Sequence, residues 1–289
     1  MNQRSTWNRN AQLMVVLFCA LTLKLYYSTA SANQLRWILA PTTVFVELIS
    51  GTPFEFESHA GYLSSDRSFL IAASCAGVNF LITSFLMLSL RKLWRDRSQN
   101  RSHKVAWRFI PVAALIAYLS TIVANTIRIS TALRLHRMPL ELTWLSGNQL
   151  HRFEGIFIYF GSLLLLFMLS EKMCSENASG LPSHAGRGPQ AGSPVRVVDR
   201  PRGRPGLFRQ SFFPLLIYYT TTLGVPLANG AYRPGIAATD FWEHSVFVLL
   251  TPLLLILPLA TFRFYKDQRA RVISNVSARP GTPRWTAPG

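Results

Sequence analysis

Residues 74–80 read SCAGVNF and lie inside a long apolar run, where a thiol, a glycine and an amide sit within a few positions of one another. A cysteine becomes a nucleophile once its thiol is ionised. Gly77 would let a second backbone or a substrate approach closely. If the run is one helix, Asn79 lies one turn from Cys75 on the same face. Taken alone, Cys75 reads as a small buried hydrophobe, the common role of a free cysteine.

Two later segments alter that reading. ANTIRIS places Asn125 and Arg128 three residues apart, so they share a helical face. LHRFEGIF places His151 and Gly155 one turn apart. An isolated arginine near a membrane surface snorkels to the headgroups, and an isolated interfacial histidine is usually structural. Together the three residue types form a coherent chemical set. A thiol ionises more readily beside a cation or an imidazolium, and the remaining cation can stabilise the oxyanion of a tetrahedral intermediate.

Other residues compete weakly for these roles. Cys19 belongs to a plain apolar helix in which it is expected to be buried, and Cys174 falls on the expected cytoplasmic side. His59, His136 and His244 share the expected outer side with His151. Only His151 opens a helix after the Arg128 loop and carries a glycine one turn on. Three unpaired cysteines provide neither a disulfide framework nor a zinc-ligand spacing. No two histidines stand at matching depth on facing helices for haem, so neither a metal nor another cofactor is expected.

The elements that must position these residues are membrane helices. The chain has 289 residues, 49% of them hydrophobic, and a formal net charge of +17. The charges are expelled from long apolar stretches into blocks, which marks a polytopic membrane protein and argues against a nucleic-acid partner. Expected spans are Ala11–Tyr27, Phe69–Leu90, Phe109–Ile127, Leu150–Ser170, Phe212–Leu227 and Phe241–Phe262. The first is read as a retained helix rather than a cleaved signal. Trp37–Ser50 is short and contains Pro41 and Glu47, so it is expected not to cross. The fold class expected is an all-α integral membrane bundle of about six to seven transmembrane helices.

Basic residues gather between Arg91 and Arg108, in the segment 171–210, and after Arg263. The positive-inside rule places all three blocks in the cytoplasm. Loops 51–68, 128–150 and 228–240 then face outward, where Glu55, Glu57, Asp66, Glu141 and Asp240 collect. On this topology Cys75 lies roughly 10 Å below the outer end of its helix. Arg128 and His151 lie at the outer ends of the next two helices, and short connections bring such neighbours side by side. The organisation expected is a transmembrane catalytic domain (1–173), a basic Gly/Pro-rich cytoplasmic linker (174–210), a two-helix transmembrane unit (211–265) and a disordered basic tail (266–289).

SCAGVNF, NTIR and HRFEG, in this order, resemble the three motifs of the exosortase/archaeosortase family of membrane cysteine transpeptidases. The CAGVNF form, with LAPT at Leu39–Thr42, is most similar to the exosortase K branch, and the resemblance spans roughly residues 35–170. It implies Cys75 as nucleophile, His151 as general base and acid, and Arg128 as electrostatic stabiliser, with Gly77, Asn79, Asn125 and Gly155 in supporting positions. It further implies a bacterial inner-membrane enzyme with its site on the outer side. The implied substrate is an exported protein ending in a sorting signal of the PEP-CTERM kind: a short motif, one membrane helix and a basic end. The acceptor would be water, an amine, or a glycan or lipid. A short stretch before the cysteine, the basic linker and the C-terminal helix pair depart from the larger exosortases.

Two other classes compete with this reading. A transporter would place ionisable residues near the bilayer midplane on paired broken helices, whereas here the polar positions crowd one face. A non-catalytic membrane assembly protein of an envelope or exopolysaccharide system would leave Cys75 dispensable.

Overall fold

The computed structural model describes residues 3–99, 107–138, 147–179, 207–228 and 236–277. The basic residues Arg101 and Lys104, the acidic Glu141, most of the expected linker and the end of the expected tail lie outside the described residues. The chain is an all-α membrane bundle with one small sheet. Helices α1 (Gln3–Thr29) and α2 (Arg36–Ser50) lead into strands β1 (Phe54–Glu57), β2 (Gly61–Ser64) and β3 (Leu70–Ala72). A 3-10 turn (Ala73–Ala76) then opens α3 (Val78–Gln99), followed by α4 (Phe109–Arg137) and α5 (Gly147–Ser179). The C-terminal part holds α6 (Leu207–Tyr219), a π segment (Thr220–Gly224), α7 (Val225–Ala228) and α8 (Ile236–Ser277).

Among the described residues, five stretches are long and apolar enough to cross a membrane: Trp7–Thr29, Ala73–Asp96, Phe109–Arg137, Gln149–Met173 and Phe241–Phe262. Ser211–Leu227 is a shorter apolar helical stretch. At 15 residues, α2 is about 22 Å long, less than the roughly 30 Å hydrocarbon core. It packs along α4 and against the 3-10 turn.

The sequence pattern of α4 explains its packing. Val112, Leu115, Leu119 and Val123 are exposed, while Ala113, Ala117, Thr121, Ala124 and Asn125 are buried. Small residues on the buried stripe let neighbouring backbones come close, which is how membrane helices gain contact when lipid offers no hydrophobic driving force. α3 and α5 occupy that stripe, with α2 lower on the same helix. One apolar core joins α1, α2, the sheet, α3 and α4; a second joins α3, α4, α5, α6 and α8.

Three expectations are corrected. The run Phe69–Leu90 is not one helix, because residues 54–72 form an antiparallel meander of order β1-β2-β3 and α3 begins only at Val78. Phe-Glu-Phe-Glu in β1 alternates with period two, as a half-buried strand requires. Asp66 then tightens the turn before β3 by accepting from Ser64 Oγ at 2.5 Å and Ser68 N at 3.1 Å. Arg128 does not end its helix, since α4 continues to Arg137. Its 29 residues extend about 43 Å, so its last turns project beyond the bilayer core. There Arg137 donates to Thr52 Oγ1 at 2.9 Å and pairs with Asp66 at 3.9 Å, fastening the meander to α4. Cys19, expected buried, is exposed beside Phe18, Leu21 and Leu25 on the outer surface of α1. α5 and α8 continue to Ser179 and Ser277, into the segments expected as linker and tail.

Candidate active site

The 3-10 turn presents Cys75 immediately before α3, and Gly77 ends the turn with φ +70°. That conformation suits glycine, because a Cβ there meets steric conflict. Space adds a second constraint. A Cβ at Gly77 would stand 3.2 Å from Asn125 Cγ and 3.2 Å from the Tyr159 hydroxyl. The glycine is therefore the place where the Cys75 turn touches α4 and α5. The turn also corrects the place expected for Asn79. It lies in the first turn of α3, does not share a helical face with Cys75, and accepts from Lys24 Nζ of α1 at 2.8 Å.

Asn125 is fully buried and donates through Nδ2 to the Cys75 carbonyl at 2.6 Å. Its Oδ1 accepts from the Tyr159 hydroxyl at 2.8 Å. The Tyr159 oxygen in turn faces Arg128 Nη1 at 3.5 Å. Every donor in this chain points the same way, from Arg128 through Tyr159 and Asn125 to the backbone of Cys75. The Arg128 guanidinium also lies over the Tyr159 ring, 5.4 Å from its centroid, and the far side of the α3 face is closed by Phe80 stacked on Tyr159 at 5.2 Å.

Arg128 makes a second contact with consequences for protonation. Its Nη2 lies 3.2 Å from His151 Nε2. A guanidinium has only donors, so the imidazole nitrogen facing it is an acceptor and the ring proton sits on Nδ1. That Nδ1 faces Glu154 Oε2 at 3.5 Å. Gly155 makes the approach of Arg128 to α5 geometrically feasible, since a Cβ there would stand 3.0 Å from Arg128 Nε.

Arg128, His151 and Tyr159 border a cavity of about 250 Å³ whose lining also includes Tyr27, Gly77, Gly155 and Ser74, the residue before Cys75. Its far wall comes from the C-terminal helices, through Tyr218, Thr222, His244 and Val248. Those helices are fixed to the rest of the site. The Thr83 and Thr221 hydroxyls are 3.0 Å apart, Arg152 pairs with Glu243 at 3.6 Å, and Gln149 donates to the same carboxylate at 3.3 Å. His244 lines the cavity from α8, whereas His136 lies against Phe69 at the projecting end of α4.

The three sequence motifs thus interlock in space, each glycine seating a residue of another motif. A family model described as transmembrane exosortase matches residues 3–168. The chain belongs to this family. The match takes in α1 as well as the motif-bearing helices, and it stops before α6 and α8, so the exosortase region is completed here by a cavity wall from outside it. No curated protein and no solved structure matches the chain.

Sequence reasoning missed Tyr159, Glu154, Tyr27 and Lys24. Tyr159 had a signal: His151, Gly155 and Tyr159 recur every fourth residue and share one face of α5. Lys24 is a cation inside an apolar run, itself a pointer to a partner within the bundle.

Proposed function

We propose that this exosortase is a membrane cysteine transpeptidase or protease that removes C-terminal sorting signals of the PEP-CTERM kind from exported proteins. Cys75 is the nucleophile, His151 the general base and acid, and Arg128 the electrostatic stabiliser. The observation that supports this reading best is Arg128 itself, whose guanidinium holds His151 Nε2 on one side and leads through Tyr159 and Asn125 to the Cys75 backbone on the other.

A substrate tail enters between the helices and sets its juxtamembrane carbonyl beside Cys75. As negative charge grows on the carbonyl oxygen, Arg128 shifts its Nη2 hydrogen bond to that oxygen. The shift frees His151 Nε2, which takes the thiol proton while the sulfur attacks the carbonyl carbon. Collapse of the tetrahedral intermediate breaks the C–N bond, and His151 delivers its proton to the leaving amine. The resulting thioester passes its acyl group to water, an amine, or a glycan or lipid acceptor, and Cys75 regains its proton.

The site lies on the outer side of a bacterial inner membrane. What supports this orientation is the placement of the Arg91–Arg108 block at the opposite ends of α3 and α4 from Cys75 and Arg137. Labelling of Ser58→Cys, but not Ser98→Cys, by an impermeant thiol reagent on intact cells checks it; the reverse pattern overturns it.

The test of function follows a tail-anchored PEP-CTERM reporter in cells with variants at matched protein level. Cys75→Ser keeps size but offers an alcohol that is far harder to ionise, so uncleaved reporter accumulates. Arg128→Lys keeps charge but loses the planar fork, and cleavage falls about 10²–10³-fold. Normal cleavage by Cys75→Ser would end the cysteine mechanism.

A further inference from the structure

Glu154 has no role in the mechanism above, yet its position demands an explanation. It lies one turn from His151 on α5, with 7% of its side chain exposed. Neither carboxylate oxygen has a hydrogen-bond partner among the described residues. Burying a carboxylate without hydrogen bonds is costly, and an apolar side chain of similar size would stabilise such a site. Among the described residues, the one group facing it at ion-pair distance is His151 Nδ1, at 3.5 Å.

We propose that Glu154 is the positioning residue of His151, fixing its tautomer and stabilising the imidazolium that forms when Cys75 is ionised. The inference rests on the cysteine–histidine reading and extends it. Two geometric facts carry it. Arg128, a pure donor, faces Nε2 and forces the proton onto Nδ1, and the orphaned carboxylate is on the Nδ1 side. When Nε2 takes the thiol proton, both ring nitrogens carry hydrogen, and the carboxylate is the nearest anion to the new charge. A base oriented by a third group is the general logic of activated nucleophiles.

Other charged and titratable groups belong to the elements that pack around α5 and the cavity. Arg128 reaches it from α4, while Arg152 and Tyr159 accompany it on α5. Cys75 lies on the 3-10 turn, Tyr27 and Lys24 on α1, and Glu243 and His244 on α8. Glu243 is engaged by Arg152 and Gln149, which leaves Glu154, among the described residues, as the carboxylate directed at His151.

The test needs no substrate. In the full-length protein in nanodiscs, with Cys19 and Cys174 replaced by alanine, the rate of Cys75 alkylation by iodoacetamide is measured from pH 5 to 10. Glu154→Gln weakens the imidazolium and with it the thiolate. The alkylation midpoint therefore moves to higher pH, and the rate at pH 6 falls about tenfold, converging with the unsubstituted rate once the thiol ionises unaided. Glu154→Leu behaves the same way while raising the unfolding temperature, because the buried charge is gone. An unmoved midpoint in folded Glu154→Gln overturns the inference, whether or not the protein is stabilised. His151→Ala separates this failure from a deeper one. A midpoint shifted by His151→Ala but not by Glu154→Gln removes Glu154 alone, whereas midpoints unmoved in both variants remove the cysteine–histidine pairing itself.

Discussion

Gly155 lies directly beneath Arg128, so close that a Cβ on the glycine would stand 3.0 Å from Arg128 Nε. The helix face of α5 is therefore cut away where the guanidinium crosses it. This relationship separates stability from activity in a way few positions do.

Gly155→Ala should fold about as well as the unsubstituted protein, since the gain of about 0.5–1 kcal/mol of alanine over glycine in a helix interior offsets the loss of about one Arg128 hydrogen bond. The added methyl displaces Arg128 from His151 and Tyr159. Reporter cleavage should fall by roughly tenfold or more, as the proposed oxyanion role of Arg128 requires. Thermal unfolding in detergent and cleavage at matched protein level check the two halves. Full activity with the methyl in place would show that the Arg128 position has no bearing on turnover.

Tyr159→Phe keeps the stack on Phe80 but deletes the hydroxyl between Arg128 and Asn125. Asn125 then holds the Cys75 carbonyl with one of its own anchors gone. The expected stability loss is about 1 kcal/mol, the net worth of one hydrogen bond. Cleavage should fall further than that loss accounts for, because the Cys75 turn is no longer tied to Arg128. Equal effects on unfolding and on cleavage would reduce Tyr159 to a packing residue.

Outside the membrane, the meander provides a pH-dependent element. Asp66 accepts from Ser64 and from the Ser68 backbone and hydroxyl, which holds its carboxyl down from 3.8 to about 2. A depressed carboxylate contributes stability above its unfolded value, and the contribution is lost as pH falls through the folded value. The turn should keep its protection at pH 5 and loosen between about pH 4 and 2. Amide exchange at Ser68 and Phe69 follows this directly. Asp66→Asn should exchange faster and without that acid step.

Much of this architecture was legible because two strong physical signals dominate the chain. Lipid excludes charge, so the apolar runs at Phe109–Ile127 and Phe241–Phe262 showed themselves as helices, and the basic blocks marked the ends between them. The motif residues that the fold brings together were legible as a set, since the spacings of Asn125 with Arg128 and of His151 with Gly155 are helical. The Cys75 turn was not. Leu70, Ile71 and Ala72 are as apolar in a strand as in a helix, so hydropathy runs unbroken from β3 through the 3-10 turn into α3. The C-terminal wall was equally hidden, because nothing local to Tyr218, Thr222 or His244 records which helix they face. Glu154 was overlooked for the opposite reason: a charge at the end of an apolar run reads as solvated, and only the packed bundle shows that it is buried.

The central claim is that Cys75 carries the acyl group. Its most direct measurement is the mass of the Cys75 peptide after the purified protein in nanodiscs meets a PEP-CTERM reporter and the reaction is quenched in acid. The account predicts an adduct equal to the reporter's cleaved acyl fragment, released by hydroxylamine as a thioester is, and absent from Cys75→Ser. Cleavage of the reporter with no adduct on Cys75, and with Cys75→Ser equally active, would contradict it.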